Sequence, residues 1–173
     1  KIVNSMKNLP FLFCGPPGVG KKSLIQLAAQ QLNLKVECAH DLGQISGEKQ
    51  ASQELLQKVT CWFGGRLQKN MAGERHLLVF YGAEHLAKES AAFLRKYDVV
   101  LLANERTEAL KAQFGDRTLW ANRLTDVEMR MSLAILQPSA GPVEVDTAIK
   151  ISNGDLRKVQ QHLAFGGAHA EKA

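Results

Sequence analysis

Gly15-Pro16-Pro17-Gly18-Val19-Gly20-Lys21-Lys22-Ser23 is the stretch of this chain whose residue types and spacing could do chemistry. Glycines at 15, 18 and 20 let successive backbone N–H groups converge on one point, where an anion can be chelated by the main chain. Lys21 supplies a mobile ammonium. A helix starting there adds unpaired N–H groups and a partial positive charge. The pattern is GxxxxGK, a phosphate-binding loop, and it requires a strand before it and a helix after it. It also asks for Ser or Thr directly after the lysine, because that hydroxyl ligates Mg²⁺. Here Lys22 holds that place and Ser23 follows it. A lysine cannot ligate a cation. Lys22 therefore has two readings: it faces solvent, or its ammonium sits near the vacated metal position and neutralises phosphate directly. Ser23 reads as a helix-start hydroxyl.

The sequence on either side of the loop supplies both required elements. Residues 9–14 form an apolar run that reads as a buried strand, and residues 21–32 show helical spacing. The segment 34–38 alternates as a second strand does, and 39–44 reads as a loop. Apolar residues from 48 to 63 recur at helical spacing, and Gly64-Gly65 ends that helix. Residues 76–81 and 98–103 are continuous apolar runs, as expected of central parallel strands. A helix is predicted over 84–97, a shorter one over 108–114, and a fifth strand over 118–121. Alternating strand and helix implies a parallel five-stranded sheet with flanking helices, an α/β class. The texture changes at Leu124. Thr125 and Glu128 form a capping box, and Val127, Met131, Ala134 and Ile135 are expected to face inward. Further helices are predicted over 143–151 and from Leu156, the last with Leu156, Val159 and Leu163 inward and Gly166-Gly167 ending it. The reading is an α/β core over 1–123, a small all-α lid over 124–166 and a frayed tail over 167–173.

The chain has 173 residues, of which 45% are hydrophobic and 23% charged, enough apolar material for a sizeable core. The net charge of +5 permits contact with nucleic acid or another anion, but the basic residues are scattered and read as a solvated surface. No apolar run is long enough to span a bilayer, so no membrane partner is expected. The opening residues lack the apolar core of a signal peptide, and the absence of an initiator Met is as expected of a piece of a longer protein. Cys14, Cys38 and Cys61 lack metal spacing. Cys14 and Cys38 each end an apolar run and read as buried thiols, which fits a reducing intracellular compartment. Trp62 and Trp120 read as core or interface fillers. The five histidines show no metal-ligand pattern.

An α/β core with this phosphate loop and a helical appendage resembles the AAA+ ATPases, and among them the clamp-loader subunits of the replication factor C or bacterial delta-prime kind. The residues that carry the resemblance are Gly15-Pro16-Pro17-Gly18-Val19-Gly20-Lys21, then Cys38-Ala39-His40-Asp41 after the second strand. Asn104 after the strand ending at Ala103, Leu124-Thr125-Asp126 at the lid entry, and Ser152-Asn153-Gly154-Asp155-Leu156-Arg157 complete the set. The resemblance implies that Asn104 is a sensor 1 residue and Arg157 a sensor 2 residue that reaches the nucleotide. It also implies ATP or ADP as ligand, held by residues 15–23. Other AAA+ subunits and a sliding clamp are the implied partners, with DNA reached through the complex. The implied compartment is nuclear in a eukaryote and cytoplasmic in a prokaryote.

Departures from the family pattern fall in the hydrolytic positions. The Asp-Glu that ends the family's Walker B strand, one residue holding Mg²⁺ and the other activating water, reads Tyr81-Gly82 here. Glu84 stands two residues further on. The arginine-finger box reads Phe114-Gly115-Asp116-Arg117, with Arg117 as a shifted substitute. Losing a general base typically costs 10²–10⁴ in rate. Losing Mg²⁺ ligands as well removes most of what catalyses phosphoryl transfer. The reading is a nucleotide-binding module, with or without Mg²⁺, that is weak or inactive in hydrolysis. Two alternatives stand beside it: a nucleotide kinase that places its hydroxyl one residue later, at Ser23, and a protein-interaction adaptor with a relic loop.

Overall fold

The computed structural model describes residues 1–41 and 75–170. The chain divides into two compact units, residues 1–14 with 21–120, and residues 15–20 with 121–173. The predicted helix over 48–63, with Cys61 and Trp62, lies outside the described residues.

The first unit is built on five parallel strands: β1 (Phe11–Cys14), β2 (Leu34–Asp41), β3 (Arg75–Tyr81), β4 (Val99–Ala103) and β5 (Thr118–Trp120). Their order across the sheet is β2-β3-β4-β1-β5. β1 therefore lies between β4 and β5, with Phe13 beside Leu102 on one side and Leu119 on the other. Every residue of β1 and β4 is buried, which is why these strands read as unbroken apolar runs. Side chains alternate across the sheet. Leu12, Cys14, Leu78, Phe80, Val99 and Leu101 join one core with Leu94 of α3 (Lys88–Leu94) and Leu110 and Phe114 of α4 (Glu108–Phe114). The alternate set, Phe11, Phe13, Leu77, Val79, Val100 and Leu102, is equally buried, as are Ile25, Ala28 and Ala29 of α2 (Lys21–Gln31). A short N-terminal helix, α1 (Ile2–Met6), packs on α2 and buries Met6. Thr107 starts α4 by accepting a hydrogen bond from the Leu110 N–H.

The second unit is helical: α5 (Asp126–Leu136), α6 (Pro142–Ser152) and α7 (Leu156–Ala170). Met129, Leu133, Ala148, Ile149 and Val159 form its core, with Leu124, Val145, Leu156 and Leu163 against them. Local signals set each helix end. Thr125 and Glu128 make the expected reciprocal capping box on α5. Pro142 opens α6, where its missing N–H is not needed, and Asn153 closes it in the left-handed conformation at φ 51°.

Several expectations are corrected. α5 buries Met129 and Leu133, whereas Val127, Met131, Ala134 and Ile135 are exposed. Both sets recur at helical spacing, so periodicity could not choose between them. The helix expected over 84–97 is a single 3₁₀ turn, Ala83–His85, followed by an extended Leu86 and then α3. The second strand runs on to Asp41 through an irregularity at Ala39 and Asp41, where a loop was expected. Helix α7 continues through Gly166-Gly167 to Ala170. Cys38 is exposed, and among the described residues Cys14 is the buried cysteine. Trp120 ends the edge strand β5 and is 55% exposed, so it fills no core; the Arg106 guanidinium lies 5.2 Å above its ring. No described helix is long and apolar enough to cross a membrane.

Candidate phosphate-binding site

Parallel strands end on the same edge of the sheet, and chemistry in such folds collects beyond their C-terminal ends. Three chain segments do so in the first unit. Lys21 is the first residue of α2, Asn104 follows β4 directly, and Glu84 sits on the 3₁₀ turn after β3. The Lys21 ammonium donates to Asn104 Oδ1 at 3.2 Å. Asn104 in turn donates twice to Glu84, from its backbone N–H to Oε2 at 3.1 Å and from Nδ2 to Oε1 at 2.8 Å. An amide held this way has its flip state fixed, because its oxygen must face the ammonium and its nitrogen the carboxylate. The turn that delivers Glu84 depends on Gly82, which takes the left-handed conformation at φ 67°, ψ 34°. A glutamate at position 82 would be strained there.

A second cluster sits beside it in the same unit. The Lys22 ammonium lies 5.2 Å from the centroid of the Tyr81 ring, and the Tyr81 hydroxyl is 3.2 Å from Cys38 Sγ. Burial, reinforced by the contact with Cys38, pushes the Tyr81 phenol well above its ordinary range, so it stays neutral. Cys14, at the end of β1, is likewise pushed up to about 11 by burial.

In the second unit the loop residues Gly18 and Gly20 have φ of 77° and 81°. Gly18 is packed against Asp155: a Cβ built on it would fall well inside contact distance of Asp155 Oδ1 and Cγ. Asp155 is fixed because its Oδ1 accepts the backbone N–H of Arg157 at 3.0 Å and of Lys158 at 3.4 Å, capping α7. The Arg157 guanidinium stays 3.8 Å from the same carboxylate and is 65% exposed.

Of the residues singled out in the sequence, the structure thus joins Lys21 to Asn104, and it places Lys22 on Tyr81. Arg117 joins neither group: it donates to the Leu9 carbonyl at 3.2 Å and lies 3.9 Å from Asp116. Ser23 lines a groove with Gln26, Leu27, Gln30, Leu34 and Val36, on the flank of α2 that meets β2. Pro17 and Gly20 are exposed, and Gly15 and Val19 are buried. Glu84 and Asp155 are the residues that sequence reasoning undervalued. An acid in the first turn after a central strand was the signal for Glu84. The Asp that precedes a helix was the signal for Asp155.

No family model matches this chain, and no curated protein matches it. Among solved structures it is similar to the Holliday junction branch migration motor RuvB of Thermotoga maritima. The TM-score is 0.55 at 19% identity, over 92% of this chain and 55% of that one. The fold is AAA+ P-loop NTPase-like. Position 22, directly after Lys21, carries an ammonium and position 81, at the end of β3, a neutral phenol, and neither is a ligand for a hard dication. The chain spans about half the length of that structure.

Proposed function

We propose that this chain is a nucleotide-binding AAA+-like module that does not hydrolyse, and that it serves as an architectural subunit of a clamp-loader-like assembly. The observation that carries the reading is the braced lysine: Lys21 at the head of α2 is oriented by Asn104, and Asn104 is held by both carboxylate oxygens of Glu84. A binding lysine is thus kept in place at the end of a GxxxxGK loop. The residues that would fire the reaction are missing, because Tyr81 and Gly82 replace the acid and the base. Glu84 is held against Asn104 by one hydrogen bond to each carboxylate oxygen. Motif order supports the clamp-loader assignment, from Gly15–Lys21 through Asn104 to Gly154-Asp155-Leu156-Arg157. The likeness to a protein described as a DNA branch migration motor is compatible with a role beside DNA, reached through sliding-clamp and AAA+ partners. Placement of Ser23 in the α2–β2 groove gives no support to the kinase register.

Calorimetric titration with ATP and ADP, paired with a phosphate-release assay, tests the proposal. Saturable binding that is lost in Lys21→Ala, with no phosphate release above the buffer rate, is expected. Turnover that disappears with Lys21→Ala would show a working ATPase and end the reading.

A further inference from the structure

We infer that the Lys22 ammonium, seated on the Tyr81 ring, takes the place of the divalent cation, so that this module binds nucleoside di- or triphosphates in their metal-free form. The inference rests on the nucleotide-binding reading above and adds to it the ionic form of the ligand. Positions 22 and 81, which the AAA+ resemblance assigns to a Mg²⁺ site, carry Lys and Tyr, and the two side chains meet in space. Lys22 brings a positive charge on the first turn of α2, next to Lys21, and its Nζ lies 5.2 Å from the Tyr81 centroid. That geometry is a cation–π contact, which holds the ammonium without neutralising it. A carboxylate at position 81 would have formed an ion pair with Lys22 and cancelled its charge; a neutral ring does not. Tyr81 is itself held in place, half-buried at the end of β3, paired in register with Asp41 and touching Cys38 through its hydroxyl. Burial favours the protonated phenol, which has no negative charge to offer a dication. Among the described residues no group of three or more His, Cys, Asp or Glu could hold a metal ion.

The consequence is an inverted dependence on Mg²⁺. Metal-free ATP offers the full charge of its outer phosphates to Lys21 and Lys22. Once Mg²⁺ is chelated to those oxygens, much of that charge is screened, and the dication is brought towards an ammonium. Binding measured in EDTA should therefore be at least as tight as binding measured with excess Mg²⁺. Lys22→Ala should weaken the metal-free affinity by up to about tenfold, the size of one charge-assisted hydrogen bond from this exposed side chain. Tyr81→Phe keeps the ring and should leave affinity within about twofold. Tyr81→Leu removes the π face and should weaken it.

The test is calorimetric titration of ATP and ADP into the whole chain, in EDTA and in Mg²⁺, with wild type, Lys22→Ala, Tyr81→Phe and the double variant Lys22→Ser/Tyr81→Asp. Circular dichroism establishes that each variant is folded. Equal or tighter binding in EDTA, lost in part with Lys22→Ala, supports the inference, as does new Mg²⁺ dependence in the double variant. Binding by wild type only when Mg²⁺ is present overturns the inference but leaves the nucleotide reading standing. Unchanged metal-free affinity in Lys22→Ala also overturns it. No binding in either buffer brings down the nucleotide reading, and this inference with it.

Discussion

Replacing Gly18 by alanine measures how closely the phosphate loop is tied to the start of α7. Gly18 has φ 77°, so an alanine there carries a left-handed backbone penalty of about 1–2 kcal/mol. Its Cβ would also displace the Asp155 carboxylate, whose Oδ1 caps α7 through the Arg157 and Lys158 N–H groups. Loss of such a cap costs about 1 kcal/mol, with a range of roughly 0.5–2. The expected total is about 1.5–4 kcal/mol. Gly20 provides the control. Its φ is 81°, nearly the same, but nothing lies within 4 Å of a Cβ built on it. Gly20→Ala should therefore cost only the backbone strain, about 1–2 kcal/mol. The difference between the two variants isolates the Asp155 contact. Urea denaturation followed by far-UV circular dichroism reads both. A double-mutant cycle with Asp155→Ala adds a second reading: once the carboxylate is gone, Gly18→Ala should cost no more than Gly20→Ala, a coupling of about 1–2 kcal/mol. Equal losses in Gly18→Ala and Gly20→Ala, or an additive cycle, would refute the contact as an energetic link.

Two further outcomes are expected. Asn104→Ala removes the amide that joins Lys21 to Glu84; because the contacts are exposed, it should destabilise by only about 1–2 kcal/mol in urea melts, and a loss below about 0.3 kcal/mol would count against the braced-lysine geometry. The Cys14 thiol, pushed up to about 11 by burial from 9.0, stays neutral where the unfolded chain ionises. Its contribution to stability is thus complete below pH 9 and is lost as pH rises from 9 towards 11, by no more than about 2–3 kcal/mol for a shift of this size. Cys14→Ala should flatten that part of the stability–pH curve relative to wild type, and identical slopes for the two would refute the assignment.

What could be read from the sequence was what is local. The glycine turn at 15–20 with its positive φ values, the apolar strands and the Thr125–Glu128 capping box each depend on residues within a few positions of one another. Element order then gave the parallel sheet, because strand and helix alternate. The failures have a common physical origin in choices made by tertiary packing. Helix α5 carries apolar residues at 127, 131 and 135 and again at 129 and 133, and only packing against α6 and α7 selects the second set. Trp120 is large and apolar, but it ends an edge strand, where nothing is obliged to cover it. The helix expected from residue 84 was broken by a left-handed Gly82 and an extended Leu86, and a helical count of apolar residues registers neither. Asn104 was legible from its place after a buried strand, but its partner Glu84 lies 20 residues back and is brought to it by the sheet.

The contacts around Lys21 and Lys22 fall into two sets. The ammonium of Lys22 rests on the ring of Tyr81. The left-handed turn allowed by Gly82 carries the chain to Glu84, whose carboxylate binds the backbone and the amide of Asn104. Lys21 has an ordered partner in Asn104. If the loop holds a nucleotide as proposed, the charge facing its phosphates comes from Lys21 and Lys22 and not from a carboxylate-bound dication, and the EDTA titration is the measurement on which that argument turns.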